Sequence, residues 1–180
     1  STIKSKWSES RNKFDSLLNI INDNDRFKFN NDFILKTALV IYATNNDEVR
    51  YKTKNFKSGL LNNLKKEWKL IESSITLCVD LIKDKLFLTT YKTITSNNAL
   101  IPIIYWIYKN NFKGFGETKN CITNENINQI RIWLIKALLS GVFGGQSDTI
   151  LYKCKEIIKN DKLKIFPSIQ IETKIKKETK

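Results

Sequence analysis

The sequence predicts an all-α protein, a single orthogonal or irregular bundle of about six helices. Apolar residues recur at spacings of three and four positions through nearly every long segment. The length of 180 residues suits one domain, and the content of 41% hydrophobic and 27% charged residues is typical of globular chains. No Gly/Ser-rich or Pro-rich linker divides the chain. We therefore predict a helical domain at residues 1–166 and a Lys-rich C-terminal tail at residues 167–180.

Three helices are predicted in the first half of the chain. The first follows the candidate cap Ser8 and ends near Ile21, just before a cluster of Asn and Asp residues. The second covers residues 32–42, with Asp32 as its cap. The third covers residues 56–86, because its apolar positions keep a period close to 3.6 residues without interruption.

Three more helices follow a β-branched and aromatic connection at residues 87–95, which predicts a strand-like segment. The fourth helix, at residues 99–110, is apolar on nearly every side and is therefore expected in the core. Pro102 fits its first turn, where the missing N–H group costs nothing. The fifth helix is predicted at residues 123–140 and the sixth at residues 149–159, with glycines between them.

The absence of histidine excludes several classes of function. Histidine-based acid/base catalysis, Cys-His and Ser-His nucleophiles, HNH-type nuclease centres and histidine-ligated zinc all need a residue that this chain lacks. Asp80 and Asp84 share one helical face, but two carboxylates around Lys83 near a helix end are commonplace on protein surfaces. We predict no catalytic residue, no metal ligand and no cofactor in this chain. The three cysteines are far apart, which favours small buried side chains in a reduced, cytoplasmic setting.

The net charge of +13 has two explanations that the sequence leaves open. A basic chain suggests a polyanionic partner. However, Lys, Asn and Ile together supply 72 of the 180 residues, and an AT-rich genome would produce this composition regardless of function. Arginine, the better reader of phosphates and base edges, occurs only four times. The candidate DNA-binding residues are lysines of the second half: Lys136, Lys153, Lys155, Lys159, Lys162 and Lys164.

The turn between the fifth and sixth helices has a structural interpretation. Gly144 and Gly145 are expected to relieve left-handed strain at the end of one helix, and the side chain of Ser147 or Asp148 to cap the next. A phosphate held on that helix N-terminus is the functional alternative, but Asp148 would place a carboxylate where the anion would bind.

Arg131 lies among apolar residues of the fifth helix, where an unpaired charge would be costly. If the fifth and sixth helices pack antiparallel, Glu156 comes level with Arg131. We therefore predict an Arg131–Glu156 ion pair, with contact to nucleic acid or to a partner as the alternative role of Arg131.

Four segments of the chain resemble a known family. They are the stretches DFILKTAL at residues 32–39, NALIPI at 98–103, IRIWL at 130–134 and GVFGGQSDT at 141–149. In this order they are similar to the helical region that follows the ParB/sulfiredoxin-like domain in GmrS-type proteins of modification-dependent restriction and phage defence. The resemblance implies that nucleotide-dependent activity belongs to that N-terminal domain, with its Asp-Gly-Gln-Gln-Arg motif, and cleavage to a C-terminal HNH domain. Neither signature is present in this sequence.

The resemblance implies an accessory helical module of a longer defence protein. We expect it to support DNA engagement, or to couple that engagement to catalytic domains outside this chain. The expected partners are double-stranded DNA, other domains of the parent protein and a second copy of the chain. A membrane is not expected, because the longest apolar runs fall short of the roughly 20 residues that a span requires. The rival hypothesis is a structural or dimerising module that makes no contact with nucleic acid.

Overall fold

The computed structural model describes residues 9–56, 58–145 and 147–176, and the fold is all-α as predicted. Two-residue strands, β1 (Gly114–Phe115) and β2 (Cys121–Ile122), pair in parallel within the connection at residues 111–123. The α-helices of the described residues are α1 (Ser10–Asn22), α2 (Asn31–Tyr42), α3 (Ser58–Lys66), α4 (Trp68–Asp80), α5 (Ile101–Asn110), α6 (Asn124–Leu139), α7 (Ser147–Asn160) and α8 (Ser168–Lys176).

Helix α5 is the centre of the bundle. Its residues 101–107 are all buried, and it packs against α4, α7 and α2. Pro102 lies in its first turn as predicted, after a short 3-10 turn at Asn97–Leu100. Helix α2 is nearly as buried, and its cap is Asn30 rather than the predicted Asp32. The Asn30 side chain accepts a hydrogen bond of 3.1 Å from the backbone N–H of Phe33, and Asp32 lies inside the first turn.

The long third helix predicted at residues 56–86 is wrong, because the structure divides it into α3 and α4. The break falls at Glu67, whose carboxylate Oε2 accepts hydrogen bonds from the hydroxyls of Tyr108 at 2.5 Å and Tyr42 at 2.6 Å. These bonds hold the pKa of Glu67 below its usual value. The apolar period continues across the break, so periodicity alone could not reveal it. Helix α4 then passes into a π-helical turn at Leu81–Lys85.

The strand-like segment predicted at residues 87–95 is not a strand. It holds a single 3-10 turn at Tyr91–Thr93, and Phe87 adopts a left-handed backbone conformation with φ of 59°. The Thr95 hydroxyl attaches the segment to α6 by donating to the carbonyl of Leu138 at 3.4 Å. Just before the segment, Arg131 of α6 donates to the carbonyl of Lys85 at 2.8 Å.

The predicted division at residue 166 is also wrong, because the chain continues as α8 packed against α6 and α7. Ile171 is fully buried, and Phe166 stacks edge-on against Trp133 in the core. Asn126 of α6 fixes the approach to α8, since its Oδ1 accepts from the N–H of Phe166 at 2.8 Å and its Nδ2 donates to the carbonyl of Lys164 at 3.1 Å. Residues 177–180 of the predicted tail lie outside the described residues.

Two of the three cysteines, Cys78 and Cys154, are buried in the core, whereas Cys121 is half-buried. All three are free thiols. None of the helices in the described part of the chain has the length and apolar content needed to cross a membrane.

Candidate nucleic-acid interface

The structure separates the six predicted DNA-binding lysines, and it removes Lys155 from the surface. Lys155 is 5% exposed, and its Nζ donates hydrogen bonds to the backbone carbonyls of Ile41, at 2.9 Å, and Ala43. These carbonyls lie at the C-terminal end of α2, where helical carbonyls lack intrahelical partners. Burial lowers the pKa of Lys155 to about 8. Lys155 is therefore a buried brace between α7 and α2, and its assignment to a DNA-binding surface is wrong.

Two more of the six lysines lie within 4 Å of a carboxylate, and a third lines a cavity. The Nζ of Lys136 lies 3.1 Å from the carboxylate of Glu172 on α8. The Nζ of Lys159 lies 3.9 Å from the carboxylate of Glu156, one turn back on α7. Lys153 is half-buried and shares the lining of a cavity of about 830 Å³ with Glu156. These three lysines do not form one basic face.

The remaining two, Lys162 and Lys164, are exposed in the turn between α7 and α8. The Nζ of Lys164 donates to the carbonyl of Lys119 at 3.3 Å and lies 5.7 Å from the ring centroid of Phe112. The turn thus meets the segment that carries the two short strands. That segment also presents Lys113, whose N–H bonds to the carbonyl of Asn120 at 2.8 Å.

We call Lys113, Lys119, Lys162 and Lys164 the basic end cluster. All four are exposed, and none of them takes part in an ion pair between residues that the structure describes. The nearby carboxylates of Glu117 and Asp161 accept hydrogen bonds from the backbone N–H groups of Asn124 and Leu163. Sequence reasoning missed Lys113 and Lys119, because only the tertiary fold brings them to residues 45 positions away.

Lys109 bonds to the chain next to the basic end cluster. Its Nζ donates to the carbonyls of Ile158, at 2.5 Å, and Asp161, so it satisfies the C-terminal end of α7 just before the turn that holds Lys162. Burial lowers the pKa of Lys109. Its ammonium group therefore serves the fold rather than a ligand.

The predicted Arg131–Glu156 ion pair is wrong. Arg131 donates to the side-chain oxygen of Asn128 at 2.8 Å and to the carbonyl of Lys85 at 2.8 Å. The pair fails because α6 and α7 do not pack as an antiparallel hairpin. Helix α7 lies against α5 and α2, whereas α6 lies against α8 and the turn at Asn97–Leu100.

The turn before α7 differs in detail from its prediction. Gly141, with φ of 62°, supplies the left-handed position after α6. A Cβ on Gly144 would lie 3.1 Å from the carbonyl oxygen of Gly141, whereas one on Gly145 would meet open space. Ser147 and Asp148 both lie within α7, and among the described residues neither side chain caps a backbone N–H.

Asp148 instead accepts a hydrogen bond from Lys36, which is 8% exposed and also donates to the carbonyl of Val49 at 2.7 Å. Three separate segments, at residues 32–39, 98–103 and 141–149, meet here. Asp32, Lys36, Asn98 and Asp148 all line one polar cavity of about 430 Å³. The Lys36 ammonium is already bound to two acceptors, so it is not free to bind an anion in this cavity. Its contact with Asp148 instead joins α2 to α7.

The candidate carboxylate pair of Asp80 and Asp84 is accompanied by a cation. The Nζ of Lys83 lies 3.7 Å from Asp80, 4.0 Å from Asp84 and 3.8 Å from Asp23. The described residues contain no group of three or more His, Cys, Asp or Glu side chains that could hold a metal ion.

No protein-family model and no curated protein matches this chain.

Proposed function

We propose that this chain is an accessory helical module of a GmrS-like restriction or phage-defence protein, and that it supports DNA engagement through the basic end cluster. The observation that carries the proposal is the convergence of four exposed lysines from two distant segments, with no ion pair to a described carboxylate. Lysines of this kind neutralise phosphates and release counterions, which is the main source of sequence-independent affinity for DNA.

The composition of the basic end cluster determines the kind of binding. Lysine contacts position a DNA backbone, whereas base edges are read chiefly by Arg, Asn and Gln. No arginine belongs to the cluster. The binding is therefore independent of DNA sequence, and discrimination of a modified or specific site belongs to other parts of the defence protein.

The module is non-catalytic in this proposal. The chain contains no histidine, Lys83 lies beside the candidate carboxylates Asp80 and Asp84, and Lys36 is held by Asp148. These observations support catalysis by domains outside this chain.

Binding of a fluorescent double-stranded DNA tests the proposal when it is titrated at about 50 mM salt, where electrostatic association is strong. Replacing Lys119 and Lys162 together with Glu is expected to abolish most of the binding. In the milder Lys119→Ala plus Lys162→Ala variant, the slope of log K against log salt should shrink by about 0.9 for each phosphate that the protein no longer neutralises.

The matched control is the double variant Lys28→Glu plus Lys92→Glu. It makes the same change in net charge at two exposed lysines: Lys28, which lies between α1 and α2 and packs over the ring of Tyr91, and Lys92, which lies in the connection that leads to the N-terminal end of α5. It should retain most of the affinity. Equal loss in both double variants would mean that only net charge matters, and no binding by the unaltered protein would favour the structural or dimerising module.

A further inference from the structure

Helix α6 exposes an apolar stripe to solvent. Ile132, Ile135 and Leu139 are 53%, 44% and 84% exposed, and their spacing of three and four residues puts them on one side of the helix. Scattered exposed apolar residues are ordinary on protein surfaces, but contiguous ones mark interaction sites. The stripe begins about 9 Å along α6 from Asn126, which contacts the turn of the basic end cluster, and ends about 20 Å from it, given a rise of about 1.5 Å per residue.

The elements on both sides of α6 carry further exposed apolar side chains. Ser168 of α8 donates to Gln129 at 2.7 Å, and the next residue, Ile169, is 72% exposed. On the other side Arg131 holds the carbonyl of Lys85, and Phe87, two residues further on, is 75% exposed. We call Phe87, Ile132, Ile135, Leu139 and Ile169 the α6 face.

A groove adjoins the α6 face at its C-terminal end. Its volume is about 630 Å³, and its lining is mainly apolar: Trp133, Ala137, Leu139, Val142 and Ile175. A groove of this size next to an exposed stripe can take an anchoring side chain from a partner, which is how helices usually bind in grooves.

The backbone at Phe87 is strained. The N–H of Leu88 bonds to the carbonyl of Ile82 at 2.8 Å, so Phe87 occupies the left-handed position that closes the preceding turn. Glycine is usual at such a position, because other residues there crowd the following carbonyl oxygen. An aromatic side chain held at this position and turned to solvent is an outlier that packing within the chain does not explain.

The charges around the α6 face define the partner. On one side Arg131 of α6 and the neighbouring Lys85 form no ion pair with a described carboxylate, so this edge is positive. On the other side Lys136 is paired with Glu172, so that edge carries no excess charge. A second copy of a chain with net charge +13 would place like charges against each other. A narrow stripe with one basic edge complements a single amphipathic helix with one acidic edge.

We propose that the α6 face is a docking site for an amphipathic helix of a protein partner, with Leu or Ile side chains along one side and Asp or Glu on the edge that faces Arg131 and Lys85. This site goes beyond the proposed DNA engagement, because it uses other residues and a partner of a different class.

The probe is a labelled helical peptide with Leu at positions i, i+3, i+4 and i+7 and Glu along one edge, and its binding to the full chain is followed by fluorescence anisotropy. Saturable binding is expected. The double variant Ile135→Asp plus Leu139→Asp should weaken it about tenfold or more, which corresponds to about 1.4 kcal/mol or more. The control Ile20→Asp changes another exposed isoleucine, on α1, and should leave the affinity within about twofold, or about 0.4 kcal/mol. A peptide with Lys in place of Glu should bind about tenfold more weakly.

Three results would overturn the proposal. The first is no saturable binding of the acidic peptide, or equal binding of the acidic and basic peptides. The second is equal binding by the double variant, checked as folded by its thermal unfolding. The third is a dimer of the unaltered protein, seen by sedimentation, that the double variant dissociates, since the occupant would then be a second copy. DNA binding measured on the same double variant should be unchanged, so failure of this proposal is distinguishable from failure of the proposed function.

Discussion

The α2–α7 junction and the outer side of α6 reverse the usual placement of residue types. At the junction two lysines, Lys36 and Lys155, are buried, whereas α6 turns Ile132 and Leu139 to solvent. The polarity of a side chain alone therefore does not fix its burial, which depends on the groups that the fold places around it. Each buried ammonium group is tolerated because it donates hydrogen bonds to oxygen acceptors. An exposed apolar side chain is tolerated because it only forgoes the free energy that burial would have given.

Two lysines cap the C-terminal ends of neighbouring helices. The buried Lys155 satisfies carbonyls at the end of α2, and the exposed Lys109 does the same at the end of α7. Helix C-termini carry a partial negative charge and orphan carbonyls, so an ammonium group from a neighbouring helix is a suitable cap. Part of the net charge of +13 therefore serves the fold and is not available to a polyanionic partner.

The largest expected effect in this comparison is the loss of a buried lysine. Replacing Lys155 with Ala leaves the carbonyls of Ile41 and Ala43 without their donor and removes a packed aliphatic stem, so we expect a loss of about 2–4 kcal/mol in the free energy of unfolding. Urea denaturation measures it. The control Lys159→Ala, at an exposed lysine one turn further on, should change stability by no more than about 0.5 kcal/mol. Equal effects of the two substitutions would contradict the burial of Lys155.

A smaller effect is expected at the other buried lysine. Asp148→Asn removes the counter-charge of Lys36 while keeping a hydrogen-bond acceptor, and should cost about 1.5–3 kcal/mol, as expected for a hydrogen bond between charged groups. Asp32→Asn is the matched control. Asp32 also lies in a first helical turn and lines the same cavity, but it accepts only from the hydroxyl of Tyr51 at 2.9 Å. If the two variants were equally stable, the Lys36–Asp148 contact would not join α2 to α7.

The free energy of unfolding should also depend on pH through Lys155, and this effect is smaller than the two above. The pKa of Lys155 is about 8 in the folded protein and its ordinary value is 10.5, so between these values the unfolded state binds more protons than the folded state. Stability due to Lys155 should therefore rise with pH, by about 1 kcal/mol between pH 7 and pH 9. A neutral amine keeps two N–H donors, enough for both carbonyls.

The measurement is the difference in unfolding free energy between the unaltered protein and Lys155→Met as pH is raised. Burial raises the pKa values of Cys78 and Cys154, which makes stability fall as the unfolded thiols ionise, but both cysteines are present in both proteins and their effect cancels. A difference that stays constant from pH 7 to pH 9 would contradict a lowered pKa for Lys155.

Local patterns were enough to locate most helices. The apolar period predicted α1, α2, α5, α6 and α7 to within a few residues, because each helix must bury one side or all of its surface. The same period concealed the break at Glu67. At that break Glu67 accepts hydrogen bonds from the hydroxyls of Tyr42 and Tyr108, which are 25 and 41 positions away, and no local pattern records such partners.

The all-α fold could be predicted from the sequence, because apolar periodicity is a property of each segment alone. The exclusion of histidine chemistry follows from composition, which needs no structure. Which lysines are exposed, in contrast, depends on the tertiary packing. On α7 the adjacent turns hold Lys155 and Lys159, and the packing of α7 on α2 and α5 buries the first and leaves the second in solvent. The convergence of Lys119 with Lys164 and the exposure of Ile132 have the same physical reason. Both depend on which helix surfaces find a partner, and that is settled between segments far apart in the chain.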